Sequence, residues 1–108
     1  MSQVLAIVQG LLKRGEYLVS RHGYRELAAD DIMLDEVLLG IESAVVVEDY
    51  PDSRKEPSVL VLQRDRSGLP IHVMWGVPKI SGTPAVLVTA YRPTPERWSP
   101  DFIKRKKP

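Results

Sequence analysis

The sequence predicts an α+β fold, with two to three N-terminal helices packed on one face of a four-stranded antiparallel sheet. Three observations predict it. Apolar residues recur at helical spacing early in the chain, at Val4, Ile7, Val8, Leu11 and Leu12 and again at Leu34, Val37, Leu38 and Ile41. From Ser43 onward the pattern changes to short valine-rich runs separated by turn residues. Helices first and hairpin-connected strands afterwards place the helices together on one side of the sheet.

The first helix is expected over residues 3–14. Ser2 caps it, Lys13 and Arg14 lie in the last turn where cations favour the helix dipole, and Gly15 supplies a left-handed stop. Gly10 weakens it by about 1 kcal/mol relative to Ala. Tyr17-Leu18-Val19 is a short apolar segment. Ser20 is placed to cap a second helix over residues 21–28, with Tyr24, Leu27 and Ala28 facing inward, and Asp30-Asp31 ends it. A third helix covers residues 33–39, with Asp35 and Glu36 in its first turn and Gly40 as its stop.

Strands are expected over residues 44–48, 59–64, 69–77 and 85–92. Tyr50-Pro51-Asp52-Ser53 is turn chemistry, and residues 78–84 form a loop containing Gly82. Pro93 and Pro95 lack N–H donors and end the last strand. A four-residue loop, Asp65-Arg66-Ser67-Gly68, pairs Arg64 with Leu69, Leu62 with Ile71 and Leu60 with Val73. That register puts Leu60, Leu62, Ile71, Val73, Trp75, Val86 and Val88 under the helices. It puts Gln63, His72, Met74, Thr89 and Tyr91 on the opposite face. A slip of one residue exchanges the faces.

A chain of 108 residues and 12.2 kDa is expected to be a single α+β domain over residues 1–98 with a basic C-terminal tail at 99–108. With 44% hydrophobic and 27% charged residues, disorder and collagen-like repeats are excluded. No apolar run approaches the roughly 20 residues of a membrane helix, and no secretory leader is recognisable, so no membrane partner and a cytoplasmic location are expected. Cysteine is absent, which removes disulfides, thiolate nucleophiles and Cys-ligated zinc. The net charge of +1 conceals an asymmetry. Residues 1–60 carry six bases against eleven acids, and residues 61–108 carry nine bases against Asp65, Glu96 and Asp101. The basic half ends in Lys104-Arg105-Lys106-Lys107, suited either to attracting phosphates or to being an ordinary solvated tail.

Three blocks carry a family resemblance. Ser20-Arg21-His22 is followed by Arg25, Ile32 and Val37; Val47-Glu48-Asp49-Tyr50-Pro51 comes next; Pro70-Ile71-His72-Val73 is followed by Tyr91-Arg92-Pro93 and Trp98. In order and spacing they resemble the domain-of-unknown-function 4258 family, small and mostly bacterial α+β proteins, over residues 17–98. The N-terminal helix lies outside the match, and Met33 stands where the family implies a serine-type cap. The resemblance implies no settled activity. In size and helix-then-sheet order the family is similar to the RelE-like toxins, the BrnT group included, which are small ribonucleases that work with a partner antitoxin. A cognate antitoxin or another protein partner, and RNA, are what that similarity implies for this chain.

His72, Tyr91, Arg92 and His22 are the candidate catalytic residues. An imidazole can move a 2′-hydroxyl proton and arginine can stabilise charge on a pentavalent phosphate, without cofactor or metal. His22 sits in the first turn of a helix, where added positive charge is disfavoured, and is either a general base or a packing residue. His72 is either part of such a site or a strand histidine bonded to a neighbour. Arg21 and Arg25, one helical turn apart, and Arg64 at a strand end are candidate phosphate contacts or ordinary salt-bridge partners. A metal site built from His22, His72 and Glu48 or Asp49 has no compact ligand spacing, and no metal is expected. Trp98 is expected to fold back over a sheet edge. Two functions follow: a metal-independent, toxin-like ribonuclease, or a non-catalytic module that binds a protein or ligand.

Overall fold

The computed structural model describes residues 2–107. Its elements are α1 (Gln3–Lys13), β1 (Tyr17–Val19), α2 (Arg21–Ala29), α3 (Leu34–Gly40), a 3-10 turn (Ile41–Ser43), β2 (Val45–Tyr50), β3 (Ser58–Arg64), β4 (Pro70–Gly76) and β5 (Ala85–Tyr91). The class is α+β, as expected. The sheet has five strands in the order β1-β5-β4-β3-β2, and it is mixed rather than four-stranded and antiparallel. The added strand is the segment Tyr17–Val19, which pairs parallel to β5 with Leu18 opposite Val86. Three residues are too few to show a period, so the sequence marks this segment only as apolar.

The N-caps of α1 and α2 are those the sequence names, whereas Gly40, expected to stop α3, is its last residue in right-handed conformation (φ −79°) and leads straight into the 3-10 turn. Ser2 Oγ accepts from Leu5 N–H at 3.0 Å, and Ser20 Oγ accepts from Gly23 N–H at 2.9 Å. Val4, Leu5, Val8 and Leu11 from α1, Leu27 from α2 and Val37 from α3 close over Val59, Val61, Ile71, Val73, Trp75, Leu87 and Ala90. Two expected inward residues are exposed, Ile7 at 48% and Tyr24 at 58%, and Ala28 is exposed as well. In α2 the inward position falls instead to Gly23. A β-carbon there would stand 2.8 Å from Leu87 O, so the helix approaches β5 more closely than any larger residue allows.

The register differs from expectation by one residue. Arg64 pairs with Pro70, Gln63 with Ile71 and Leu62 with His72. The loop is five residues long because Asp65 organises it: its N–H donates to Leu69 O, and its Oδ1 accepts from Ser67 and Leu69 N–H. Val59, Val61 and Gln63 therefore face the helices, and Leu60 and Leu62 face away. Gln63 Nε2 donates to Val37 O at 2.9 Å beneath α3.

Two β-bulges complete the sorting of side chains. In β5 the ladder shifts between Met74 and Trp75, which leaves Val88 as the extra residue. Leu87 and Ala85 thereby join the core, while Val86 and Val88, expected there, do not. In β2 the shift between Val46 and Glu48 turns Glu48 to the helix-free face. Asp49 then faces the helices, where Ser2 Oγ donates to it at 3.0 Å.

Replacing Gly23 with Ala is expected to lower stability by about 1–3 kcal/mol, because the new methyl meets a backbone carbonyl. Gly10→Ala meets only the end of the Arg14 side chain, at an ordinary contact distance of 3.7 Å, and is expected to raise stability by roughly 0.5–1 kcal/mol. Urea denaturation of the two variants checks both signs.

Candidate functional site

Beyond β5 the chain turns back across the helix-free face. Trp98 and Arg105 form an antiparallel bridge, Ser99 N–H donates to Lys104 O at 2.8 Å, and Lys106 N–H donates to Arg97 O at 2.8 Å. The intervening turn is built by Ser99-Pro100-Asp101, with Asp101 Oδ1 accepting from Ser99 Oγ and from Ile103 N–H. Phe102 adopts a φ of 62°, an uncommon value for a residue with a side chain. Residues 97–106 thus form a strap.

His72 lies under it and is fully buried, 0% exposed. Its Nε2 is 2.8 Å from Phe102 O and its Nδ1 is 3.1 Å from Tyr91 Oη. A carbonyl oxygen only accepts, so Nε2 carries the proton and donates, and Nδ1 accepts from the Tyr91 hydroxyl. Trp98 stands nearly perpendicular to the imidazole with ring centroids 4.3 Å apart, and Tyr91 meets it edge-on at 5.3 Å. Trp98 is 3% exposed and covers the face of the sheet, not its edge.

Arg105 fastens the strap from outside. Its Nε and Nη2 donate to Glu48 Oε2 and Oε1 at 2.6 and 3.1 Å, and its guanidinium sits 4.8 Å over the Trp98 ring. Tyr50 Oη donates to Glu48 Oε1 at 2.7 Å. The Arg105 hydrogen bonds hold the Glu48 carboxyl below the usual carboxylate range, against the opposing effect of burial.

Burial pushes the His72 pKa below its ordinary value. The Phe102 carbonyl opposes this, Arg105 adds to it, and Glu48 opposes it more weakly. Burial also pushes the Tyr91 phenol up. The phenol therefore keeps its proton and the imidazole stays neutral. Moving that proton from Tyr91 to His72 costs about 5 kcal/mol from their ordinary pKa values alone, and burial adds to the cost in both groups.

Of the residues predicted for chemistry, the structure brings His72 and Tyr91 together and leaves the others elsewhere. Arg92 binds Asp65 Oδ2 through Nη1 at 2.9 Å, and its backbone N–H donates to Asp30 Oδ2 at 2.8 Å. It ties the β3–β4 loop to the end of α2. His22 is exposed on α2, on the helix side of the sheet, 3.7 Å from Glu26. It does not share a site with His72, so the two imidazoles and Glu48 or Asp49 form no metal cluster. Arg21 and Arg25 are exposed on α2 and form no ion pair among the described residues. Arg64 reaches back to Gly68 O at 3.3 Å.

Sequence reasoning missed Arg97 and Phe102 as members of the site, weighed Glu48 beside His72 only as a metal ligand, and read Arg105 only as one of a basic run. The signal for the strap was present in Ser99-Pro100-Asp101, a turn sequence between Trp98 and a basic run. The surface between strap and sheet holds a cleft of about 300 Å³ lined by Tyr91, Arg97, Trp98 and Arg105. Neither His22, His72 nor Arg92 lines it.

A family model described as a domain of unknown function (DUF4258) matches residues 19–92. No curated protein and no solved structure matches the chain. No helix among the described residues is long and apolar enough to cross a membrane.

A buried imidazole with a lowered pKa makes stability depend on pH in a fixed direction. The unfolded chain takes up a proton near pH 6.5 and the folded one only at lower pH, so the contribution is full above 6.5 and is lost as pH falls below it. Wild-type unfolding free energy is expected to be level above pH 6.5 and to drop between 6.5 and 5.5. His72→Gln is expected to be less stable and level across that span, as chemical denaturation at each pH will show; an equal drop in the variant contradicts the assignment.

Proposed function

We propose that this chain, which belongs to the domain-of-unknown-function 4258 family, is a non-catalytic binding module whose ligand face is the strap laid over the helix-free side of the sheet. The observation that carries this reading is the state of His72. Both ring nitrogens are engaged, no surface of the ring meets solvent, and its burial favours the neutral form. A general base must reach the proton it removes, directly or through one water.

The groups of the ribonuclease alternative do not converge. Arg92 is committed to Asp65 and Asp30, and His22 belongs to the helix side. The likeness to RelE-like toxins is one of element order, and a shared architecture does not fix an activity. What the strap offers a ligand is positive charge, from Arg97 and Arg105 beside Tyr91 and Trp98.

Incubating the purified protein with mixed-sequence RNA, once in EDTA and once in Mg²⁺, tests the reading. The RNA is expected to stay intact in both. Cleavage by the wild type that disappears in His72→Ala or Arg92→Ala would establish the ribonuclease instead.

A further inference from the structure

We infer that the strap is a track for the phosphodiester backbone of nucleic acid, an inference that rests on the non-catalytic binding reading above. Two hollows lie against the strap. One, of about 300 Å³, is lined by Tyr91, Arg97, Trp98 and Arg105. The other, of about 310 Å³, is lined by Glu96, Arg97, Arg105, Lys106 and Lys107. Arg97 and Arg105 line both, so the two form one trough running along the strap. The ligand such a trough fits is linear and repeats its negative charge. Phosphodiester chains carry one charge per nucleotide, and their affinity comes largely from the cations that replace their counterions.

Arg105 is prepared for this role. Glu48 takes its Nε and Nη2, the Trp98 ring lies under its guanidinium, and the bridge to Trp98 fixes its backbone. Nη1 makes no hydrogen bond among the described residues. A cation already ordered loses little further entropy when an anion arrives. Lys106 is held similarly through its backbone N–H to Arg97 O.

The same geometry argues against base readout and against an acidic protein. Trp98 is 3% exposed, with Arg105 over its face, so no base can stack on it. The Tyr91 hydroxyl is spent on His72. Protein partners gain most of their affinity from apolar anchors seated in pockets, and the aromatic side chain that could receive one is covered. The trough therefore reads charge and not sequence.

The test is fluorescence anisotropy with three labelled probes: a mixed-sequence single-stranded RNA 20-mer, the DNA of the same sequence, and a poly-glutamate 20-mer. Titrations run from about 0.05 to 0.3 M KCl, and the RNA is recovered and sized afterwards. Both nucleic acids are expected to bind, with a log–log salt slope of about −3 for four neutralised phosphates. The variant Arg97→Ala/Lys106→Ala/Lys107→Ala is expected to weaken binding about 100-fold at 0.1 M salt and to reduce the slope by about 2. Arg66→Ala, a surface cation near α3, is expected to bind like the wild type. RNA held in preference to DNA would identify RNA as the source of the backbone, and equal binding would identify phosphodiesters of either kind; both support the track. Tighter binding of poly-glutamate, no binding of either nucleic acid, or a triple variant that binds like the wild type overturns it while the non-catalytic reading stands. Shortened RNA overturns the non-catalytic reading itself.

Discussion

The imidazole of His72 joins the C-terminal strap to the sheet, and the shape of the helix-free face depends on that junction. It donates a hydrogen bond to Phe102 O and accepts one from Tyr91 Oη, with Trp98 packed across its ring. A buried donor or acceptor left without a partner costs about 1–3 kcal/mol, so the strap cannot lift without taking from Nε2 the carbonyl that receives its N–H, while Nδ1 keeps its Tyr91 partner within the sheet. The unusual φ of Phe102 belongs to the same arrangement, since it sits at the residue whose carbonyl receives the imidazole proton. Arg105 adds an outer clasp. Its pairing with Glu48 is only partly shielded and contributes modestly, but it fixes where the guanidinium stands.

The two bulges make that face possible. Strict alternation through β2 would carry Glu48 to the helix side along with Val46; the extra residue between them turns Glu48 toward Arg105 and Asp49 toward Ser2 at the cap of α1. In β5 the extra residue at Val88 lets Leu87 meet Trp75 in the core while Thr89 and Tyr91 stay on the other face. Helix caps and the helical stripes were legible in the sequence because they depend on neighbours three or four residues apart. Ser2, Ser20, Leu27, Val37 and Ile41 do what their spacing says. The sheet was less legible because its register depends on events that composition hides: Asp65 holding a fifth residue in a hairpin, and one extra residue in each of two strands. His72 and Tyr91 were found on the right face, since their pairing lies beyond the bulge that displaces Val86 and Val88. Glu48 and Arg105 were not found together because 57 residues separate them.

Charge asymmetry takes on a spatial meaning in this fold. The basic run at residues 104–107 is not spread over the surface at large. Arg105, Lys106 and Lys107 line one trough together with Arg97. Arg21 and Arg25, one turn apart, stand on α2 on the helix side of the sheet. Binding and catalysis make opposite demands here. A buried, neutral, fully bonded histidine is a good structural post and a poor proton carrier, because the same burial that locks its geometry raises the phenol and lowers the imidazole.

The most direct test of this account is the protonation state of the His72 ring in solution. Long-range ¹H–¹⁵N correlation spectra of the ¹⁵N-histidine-labelled protein at pH 7 should show His72 as the neutral tautomer with its proton on Nε2, and that proton should exchange slowly with water. A proton on Nδ1, or an imidazole that titrates near its ordinary value of about 6.5 with rapid exchange, would mean that the strap does not seal the ring.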